Sequence, residues 1–436
     1  MSKSRRRREP YSVAIENLSH EGRGVGRVNG KTVFVAGGLP GEQVLAQKTR
    51  GRKSFDEAIA LEVENPNPHR VNPECAHYAI CGGCSLQHLA SDQQIAHKQA
   101  VLLELFQHHA GVACEEVLAP IQASPWQYRR RARLGVKFVE KKGGVLVGFR
   151  EKSSPYIADI NRCEVLHPSI GDILLTLRKF IAELSIKTKV PQLEIAVGDE
   201  HTAIILRHLE PFSPADEAVL ASFQTESGLS LFLQPGGEDT VHPLNQNSQH
   251  LSYGIDDIQF HFSPSNFIQV NQAINQKMIS AVMSHLALEP TDRVLDLFCG
   301  LGNFTLPIAK KIDAIHGVEG DDQLVELALS NAKKNEIGNA TFEKMNLADP
   351  TELQGLALQN FNKLILDPPR TGAEDFILNC DIPSVRKIAY VSCNPVTLAR
   401  DAGHLITKYG FKLTKLGVMD MFPHTSHVES LAIFTR

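Results

Sequence analysis

The sequence predicts an α/β fold whose main body is a doubly wound, Rossmann-like parallel sheet over residues 263–436. An OB-like β-barrel over residues 10–68 and a small α+β domain over 70–262 precede it. Three observations carry this division. Toward the C-terminus, short apolar runs alternate with helical segments, the pattern of strands joined by crossover helices. Those runs are nearly continuous in apolar residues, as strands covered on both faces are. The first 68 residues instead show short alternating runs broken by glycines, the pattern of tight turns in a small barrel.

In the barrel region, the runs around "SVAIENL", Val33 and Val35, and "EQVLAQ" read as strands, and "ENPNPHRVNPEC" closes it as a proline-rich linker. The net charge of −4 is unevenly spread: the first 53 residues hold twelve Lys or Arg against four Asp or Glu, beginning with "SKSRRRRE". A second basic run, "WQYRRRARLGVKF" (Trp126 to Phe138), interleaves aromatic rings with arginines. Both suit a polyanion with exposed bases, and small barrels of this kind often bind nucleic acid.

The middle segment holds a helix around 91–109 and the strands "LEIAVG" and "TAIILRHL". It also carries "PECAHYAICGGCSLQH", with Cys75, Cys81 and Cys84 spaced C-x5-C-x2-C, and Cys163 further on in "DINRCEVLHP". Three soft ligands so close together point to a metal centre. Structural zinc usually takes two close pairs, whereas a close trio with one distant cysteine is nearer to a four-cysteine iron–sulfur site. On spacing alone zinc stays open. A fourth ligand at Cys163 would close a cluster and give it a structural role. No secretory leader and no apolar run long enough to span a bilayer are read. The expected location is therefore the cytoplasm, where the eight cysteines serve as ligands, nucleophiles or core residues rather than disulfides. No membrane contact and no obligate protein partner are expected, and the chain is expected to be a monomer.

In the C-terminal region "RVLDLF", "AIHGVEG", "NATFEKMN", "NKLILDPP" and "KIAYVSCNP" read as strands. "VLDLFCGLGNFTLPIAKK" is a strand, a glycine turn at Gly300 and Gly302, then a helix. Glu319 ends the next strand, where a carboxylate can accept two bonds from ribose hydroxyls. The third glycine of a dinucleotide fingerprint would fall at Thr305, and no phosphate-binding lysine follows. A nucleoside ligand without pyrophosphate fits better, namely S-adenosylmethionine. Asp367 in "LILDPPR" stands at the end of the fourth strand, before prolines that stop it. Cys393 ends "KIAYVS", and Pro395 prevents the strand from continuing. Alone, Cys393 reads as readily as a buried core thiol; beside a methyl-donor site it reads as a nucleophile. The tail "VMDMFPHTSHVESLAIFTR" reads as strand, loop, strand, with Glu429 a candidate base and His424 and His427 weaker ones.

At these residues the sequence resembles the RNA 5-methyluridine methyltransferases. The matching pieces are "FSPSNFIQVNQ", "DLFCGLGNFT", "GVEG", "LDPPR", "YVSCNP" and "FPHTSHVE", in that order. The N-terminal barrel resembles a TRAM domain, an RNA-binding module. With its four cysteines the chain is similar to the subgroup that acts on large-subunit (23S) ribosomal RNA and carries a four-iron four-sulfur (4Fe-4S) cluster. The resemblance implies a class I methyltransferase fold, with Cys393 as nucleophile and Glu429 as base. It implies Gln269, Phe298, Asn303, Glu319, Asn346 and Asp367 as S-adenosyl-L-methionine contacts, and Cys75, Cys81, Cys84 and Cys163 as cluster ligands. The implied chemistry is addition of Cys393 to carbon 6 of uracil, methylation at carbon 5, and Glu429-assisted elimination. The target uridine must then be unstacked from its RNA. Phe267 is a candidate support for it, and arginines of the basic run are candidate phosphate contacts.

Three rival readings are set against this. A tRNA uridine is an alternative substrate for the same chemistry. A DNA cytosine-C5 methyltransferase would carry a Pro-Cys dipeptide, which is absent from this chain. A non-catalytic RNA-binding protein would leave the grouped strand-end residues unexplained.

Overall fold

The structure, a computed structural model, describes residues 9–246, 249–354, 356 and 358–436. The basic run that opens the chain lies almost entirely outside the described residues.

The C-terminal part is built on an eight-stranded sheet. Its order is Ala340–Lys344, Ala314–Glu319, Arg293–Leu297, Lys363–Leu366, Lys387–Ser392, Glu429–Thr435, Lys412–Met419 and Glu116–Val117. The first five strands are parallel, and the Glu429 strand then runs antiparallel on both sides. Successive residues of each central strand are buried on opposite faces. Val294, Ile365, Ala389 and Leu431 face one core, with the helix Gln272–Leu286. Leu295, Leu364, Ile388 and Ala432 face the other, with the helix Pro395–Tyr409. Complete burial of a leucine contributes about 1.5–3 kcal/mol, so two filled faces fix the strand ends that carry the functional residues.

The helix around 91–109 has a different place from the one its sequence position suggests. Ser91–Leu105 sends Ile95, Val101, Leu102 and Leu105 into the second core of the C-terminal sheet. The short strand after it, Glu116–Val117, pairs in parallel with Lys412–Met419. Segment 70–262 therefore divides between two packing units. The hairpin Leu251–Ile255 with Ile258–Phe262 also packs in the first core of the C-terminal part.

The rest of the middle segment has its own sheet, ordered His242–Pro243, Ser230–Gln234, Thr202–Arg207, Gln192–Val197, Arg131–Val139 and Gly144–Gly148. The helices Leu174–Glu183 and Pro214–Ser227 cover it and complete a separate core. At the N-terminus a six-stranded sheet, with Tyr11–Ala14 and Asn17–Leu18 as its edges, wraps around Val13, Ile15, Val33, Val35, Val44 and Ala58. Arg70, in the proline-rich linker, donates to both carboxylate oxygens of Glu42, at 2.5 and 2.6 Å. The Glu42 side chain is fully buried, so this pair ties the barrel to the linker.

Candidate active site

The loops that follow the five parallel strands gather at their carboxyl edge. The first follows Arg293–Leu297. Phe298 and Gly300 both take left-handed φ, 62° and 57°. A Cβ at Gly300 would meet nothing within 4 Å, so this backbone borders open space that a ligand can approach closely. Glu319, at the end of the neighbouring strand, accepts the N–H of Gly300 at 3.0 Å, of Gly320 at 2.8 Å and of Asp321 at 3.2 Å. Its carboxylate is thereby held at the turn. Its carbonyl accepts Met345 N–H at 2.9 Å, which brings Asn346 to the same edge, where it is exposed. Asn303 is fixed by a reciprocal amide pair with Asn275, at 2.8 and 2.9 Å, and by Tyr253 Oη at 3.2 Å. Gln269 shares a small cavity with Tyr253 and Asn275. Of the predicted donor contacts, Phe298, Glu319 and Asn346 thus stand at the carboxyl ends of three neighbouring strands, Asn303 in the turn after the first of them, and Gln269 on the loop before the Gln272–Leu286 helix.

The floor of this region holds a residue that sequence reading passed over. Asp296 is fully buried. Thr305 Oγ1 donates to its Oδ2, at 2.5 Å, while its Oδ1 has no partner. Burial pushes its carboxyl up to about 7. The first strand's apolar reading concealed it, because one carboxylate inside "VLDLF" breaks no pattern.

The second cluster is centred on Cys393, half-buried between the Lys387–Ser392 strand and the Pro395–Tyr409 helix. Asn394 caps that helix by accepting Val396 N–H at 3.2 Å, and donates to Arg370 O at 2.9 Å. Cys393 thus stands one residue before the N-cap of this helix, at the end where the helix dipole favours a thiolate. Burial raises the Cys393 thiol, as do the carboxyls of Glu429 and Asp367, and the Arg370 guanidinium opposes them. Glu429, at the first position of the last strand, is pushed up to about 8 by burial and by Asp367, against Arg370 and Lys98. Burial and then Asp296 push Asp367 up to about 7. Cys393, Glu429, Asp367 and Arg370 are thus mutual electrostatic neighbours, and both Asp367 and Glu429 keep part of their surface exposed. The loop bearing Asp367 is braced from behind: buried Asp401 accepts Ala373 N–H and Tyr390 Oη, each at 2.7 Å.

Of the weaker base candidates, His424 is buried beneath Trp126, ring centroids 4.0 Å apart, and burial lowers it to about 4. It faces the protein interior. His427 is exposed, 3.4 Å from the Arg370 guanidinium, and it too is lowered by burial. Phe267 is 66% exposed, on the loop between the hairpin and the Gln272–Leu286 helix.

Cys75, Cys81, Cys84 and Cys163 line one cavity, walled by Phe149, Ile160 and Val165. Burial and the other three thiols push Cys84 up to about 12, and burial brings Cys163 to about 11. Gly83 N–H donates to Cys81 Sγ at 3.4 Å. Among the described residues no group of three His, Cys, Asp or Glu side chains is arranged to hold a metal ion. Nor, among them, is any helix long and apolar enough to cross a membrane.

Comparison with known proteins gives the same outline. A profile of the family described as tRNA (Uracil-5-)-methyltransferase matches residues 91–436, and that of the TRAM domain matches residues 4–60. The start of the first match coincides with the helix that packs into the C-terminal core. The chain is 48% identical to a protein of Alkalilimnicola ehrlichii named 23S rRNA (uracil(1939)-C(5))-methyltransferase RlmD, over 100% of this chain and 99% of that one. It is 45% identical to the protein of the same name from Legionella pneumophila, covering 98% and 97%. Among solved structures, the Pyrococcus abyssi tRNA (uracil-54, C5)-methyltransferase in complex with S-adenosyl-L-homocysteine aligns over 98% of this chain and 100% of that one. Its TM-score is 0.75 and its identity 24%, a likeness of fold.

Proposed function

The chain belongs to the tRNA (uracil-5-)-methyltransferase family, and from that premise we propose how it methylates carbon 5 of a uridine in 23S ribosomal RNA. The substrate reading rests on one observation above others: relatives named for this reaction match the chain almost end to end at 45–48% identity, the barrel region included. The donor is S-adenosylmethionine. A cytoplasmic protein acting on unstacked ribosomal RNA is the setting we infer.

Carbon 5 of uracil is a poor nucleophile. Cys393 adds to carbon 6, and the resulting enolate is nucleophilic at carbon 5. When bound, S-adenosylmethionine supplies the electrophilic methyl group that carbon 5 takes up. Glu429 then removes the carbon 5 proton, and elimination frees Cys393. The grouping at the strand ends supports these roles. The helix end and Arg370 draw Cys393 toward thiolate against its burial. The elevated carboxyl of Glu429 makes a stronger base, once ionised, than a solvated one. Glu319, held by three N–H groups, suits ribose hydroxyls. Asn303, Gln269, Phe298, Asn346 and Asp367 complete the donor site in this reading.

We further propose that Cys75, Cys81, Cys84 and Cys163 hold a four-iron four-sulfur cluster. Four thiols around one cavity match its donor set. A single zinc ion would need all four sulfurs within about 2.3 Å of one point. When bound, the cluster would supply a covalent tie between the linker and the segment around Cys163.

The test uses unmodified 23S ribosomal RNA and a methyl-labelled donor. Label should appear in 5-methyluridine, and Cys393→Ala should abolish it. Label in another nucleotide, or transfer only to tRNA, would move the assignment.

A further inference from the structure

The loop Asp420–Val428 delivers Glu429 to the site, yet it is held from outside the parallel strands. Lys98, on the Ser91–Leu105 helix, is 1% exposed. Its Nζ donates to Asp420 Oδ1 at 2.7 Å and to Phe422 O at 3.0 Å. One turn earlier, Gln94, also 1% exposed, accepts His424 N–H on Oε1 at 2.9 Å. His424 O accepts the N–H groups of Ser85 and Leu86, at 2.8 and 3.0 Å. His424 has φ 65°, a left-handed conformation that a non-glycine residue holds only when its surroundings over-determine it. The loop is therefore clamped at three successive points before it reaches Glu429.

An ammonium buried this deeply is heavily penalised, and an apolar side chain of similar length would fill the space without that penalty. Its presence there calls for a reason that packing alone does not give. The reason offered by the geometry is Glu429, whose loop Lys98 grips at two points and toward which its charge acts.

We propose that Lys98 is a positioning residue for proton removal by Glu429: through Asp420 and the Phe422 carbonyl it sets the loop that delivers the base. This rests on the reading of Glu429 as base given above. Lys98 acts on the carboxylate through the loop and through its field. The groups facing Glu429 are Asp367 and Arg370 from one loop, Cys393 from the adjacent strand end, and Lys98 from the helix. His427, within the loop itself, meets Arg370. Asp420 and Glu429 are the charged groups facing Lys98. Lys98 and Arg370 both act to lower Glu429, so loss of Lys98 moves its titration upward.

The experiment follows a single turnover of the full-length protein with unmodified 23S ribosomal RNA and S-adenosylmethionine. It separates the rate at which the covalent protein–RNA adduct forms from the rate at which the methylated adduct decays. Lys98→Met strands a buried carboxylate, so the paired variant Lys98→Met with Asp420→Asn is measured beside it. For the paired variant, adduct formation should stay within about threefold of the original, while decay slows about tenfold or more, with its pH profile displaced upward. Lys98→Arg, which keeps the charge, should recover part of the decay rate. Equal losses in both steps, or unchanged decay, would overturn the role. If the original protein forms no adduct at all, the covalent reading itself fails, and that outcome is visible before any variant is compared.

Discussion

Release of the methylated RNA should depend steeply on pH, because the base that drives it is set unusually high. Burial and the neighbouring Asp367 push Glu429 up to about 8. Only the ionised carboxylate can accept the carbon 5 proton. A group of pKa about 8 is ionised to about 1% at pH 6, about 9% at pH 7 and about half at pH 8. The decay constant of the methylated adduct should therefore rise about tenfold from pH 6 to 7, about fivefold from 7 to 8, and less than about twofold beyond. Asp367→Asn removes a negative neighbour, so it should shift this profile to lower pH. The assay forms the adduct at one pH, jumps to another, and follows loss of the covalent species. A decay rate that is flat between pH 6 and 8, or that falls as pH rises, would refute the reasoning.

The same carboxyl carries a stability cost of the opposite sense. Its folded pKa lies above the unfolded value of 4.5, so the folded state binds more protons between about 4.5 and 8, and stability falls as pH rises through that window. Glu429→Gln should raise the calorimetric melting temperature at pH 8.5, leave it nearly unchanged at pH 4.5, and block release. Arg70→Ala strands the fully buried Glu42 carboxylate with only the N–H groups of Leu39 and Asn67, at 2.7 and 3.0 Å. It should destabilise the barrel by about 3–5 kcal/mol, seen as a lower denaturation midpoint and faster proteolysis in the linker around residue 67. Protein purified without oxygen should be brown and contain iron, and Cys84→Ser should bleach it. Colourless protein with one bound zinc would replace the cluster assignment.

Much of the C-terminal sheet was legible because its strands are buried on both faces, which leaves uninterrupted apolar runs such as "LIL" before Asp367. Their ends were legible because prolines and glycines stop them. The grouping of Cys393, Glu429 and Asp367 followed from topology: parallel strands present their carboxyl ends, with Asp367 and Cys393, on one edge, and the antiparallel last strand starts at that same edge with Glu429. What sequence did not disclose is long-range. Lys98 reads as one polar residue on a helix, and nothing local marks it as buried; its partner Asp420 stands 322 positions away. The same holds for the helix as a whole, whose periodicity predicts its form but not which core it enters. Two residues, Glu116 and Val117, form an eighth strand too short to leave a pattern. Arg370 was visible in "LDPPR", but its closeness to Cys393 and Glu429 needed the loop geometry.

The most direct test of the covalent account is mass spectrometry of the protein after incubation with S-adenosylmethionine and ribosomal RNA bearing 5-fluorouracil. Fluorine at carbon 5 cannot leave as a proton, so elimination is blocked after methyl transfer. A stable protein–RNA adduct is expected, whose digestion yields a single modified peptide with the nucleotide on Cys393. An adduct that persists in Cys393→Ala, or a modified peptide that does not contain Cys393, would contradict it.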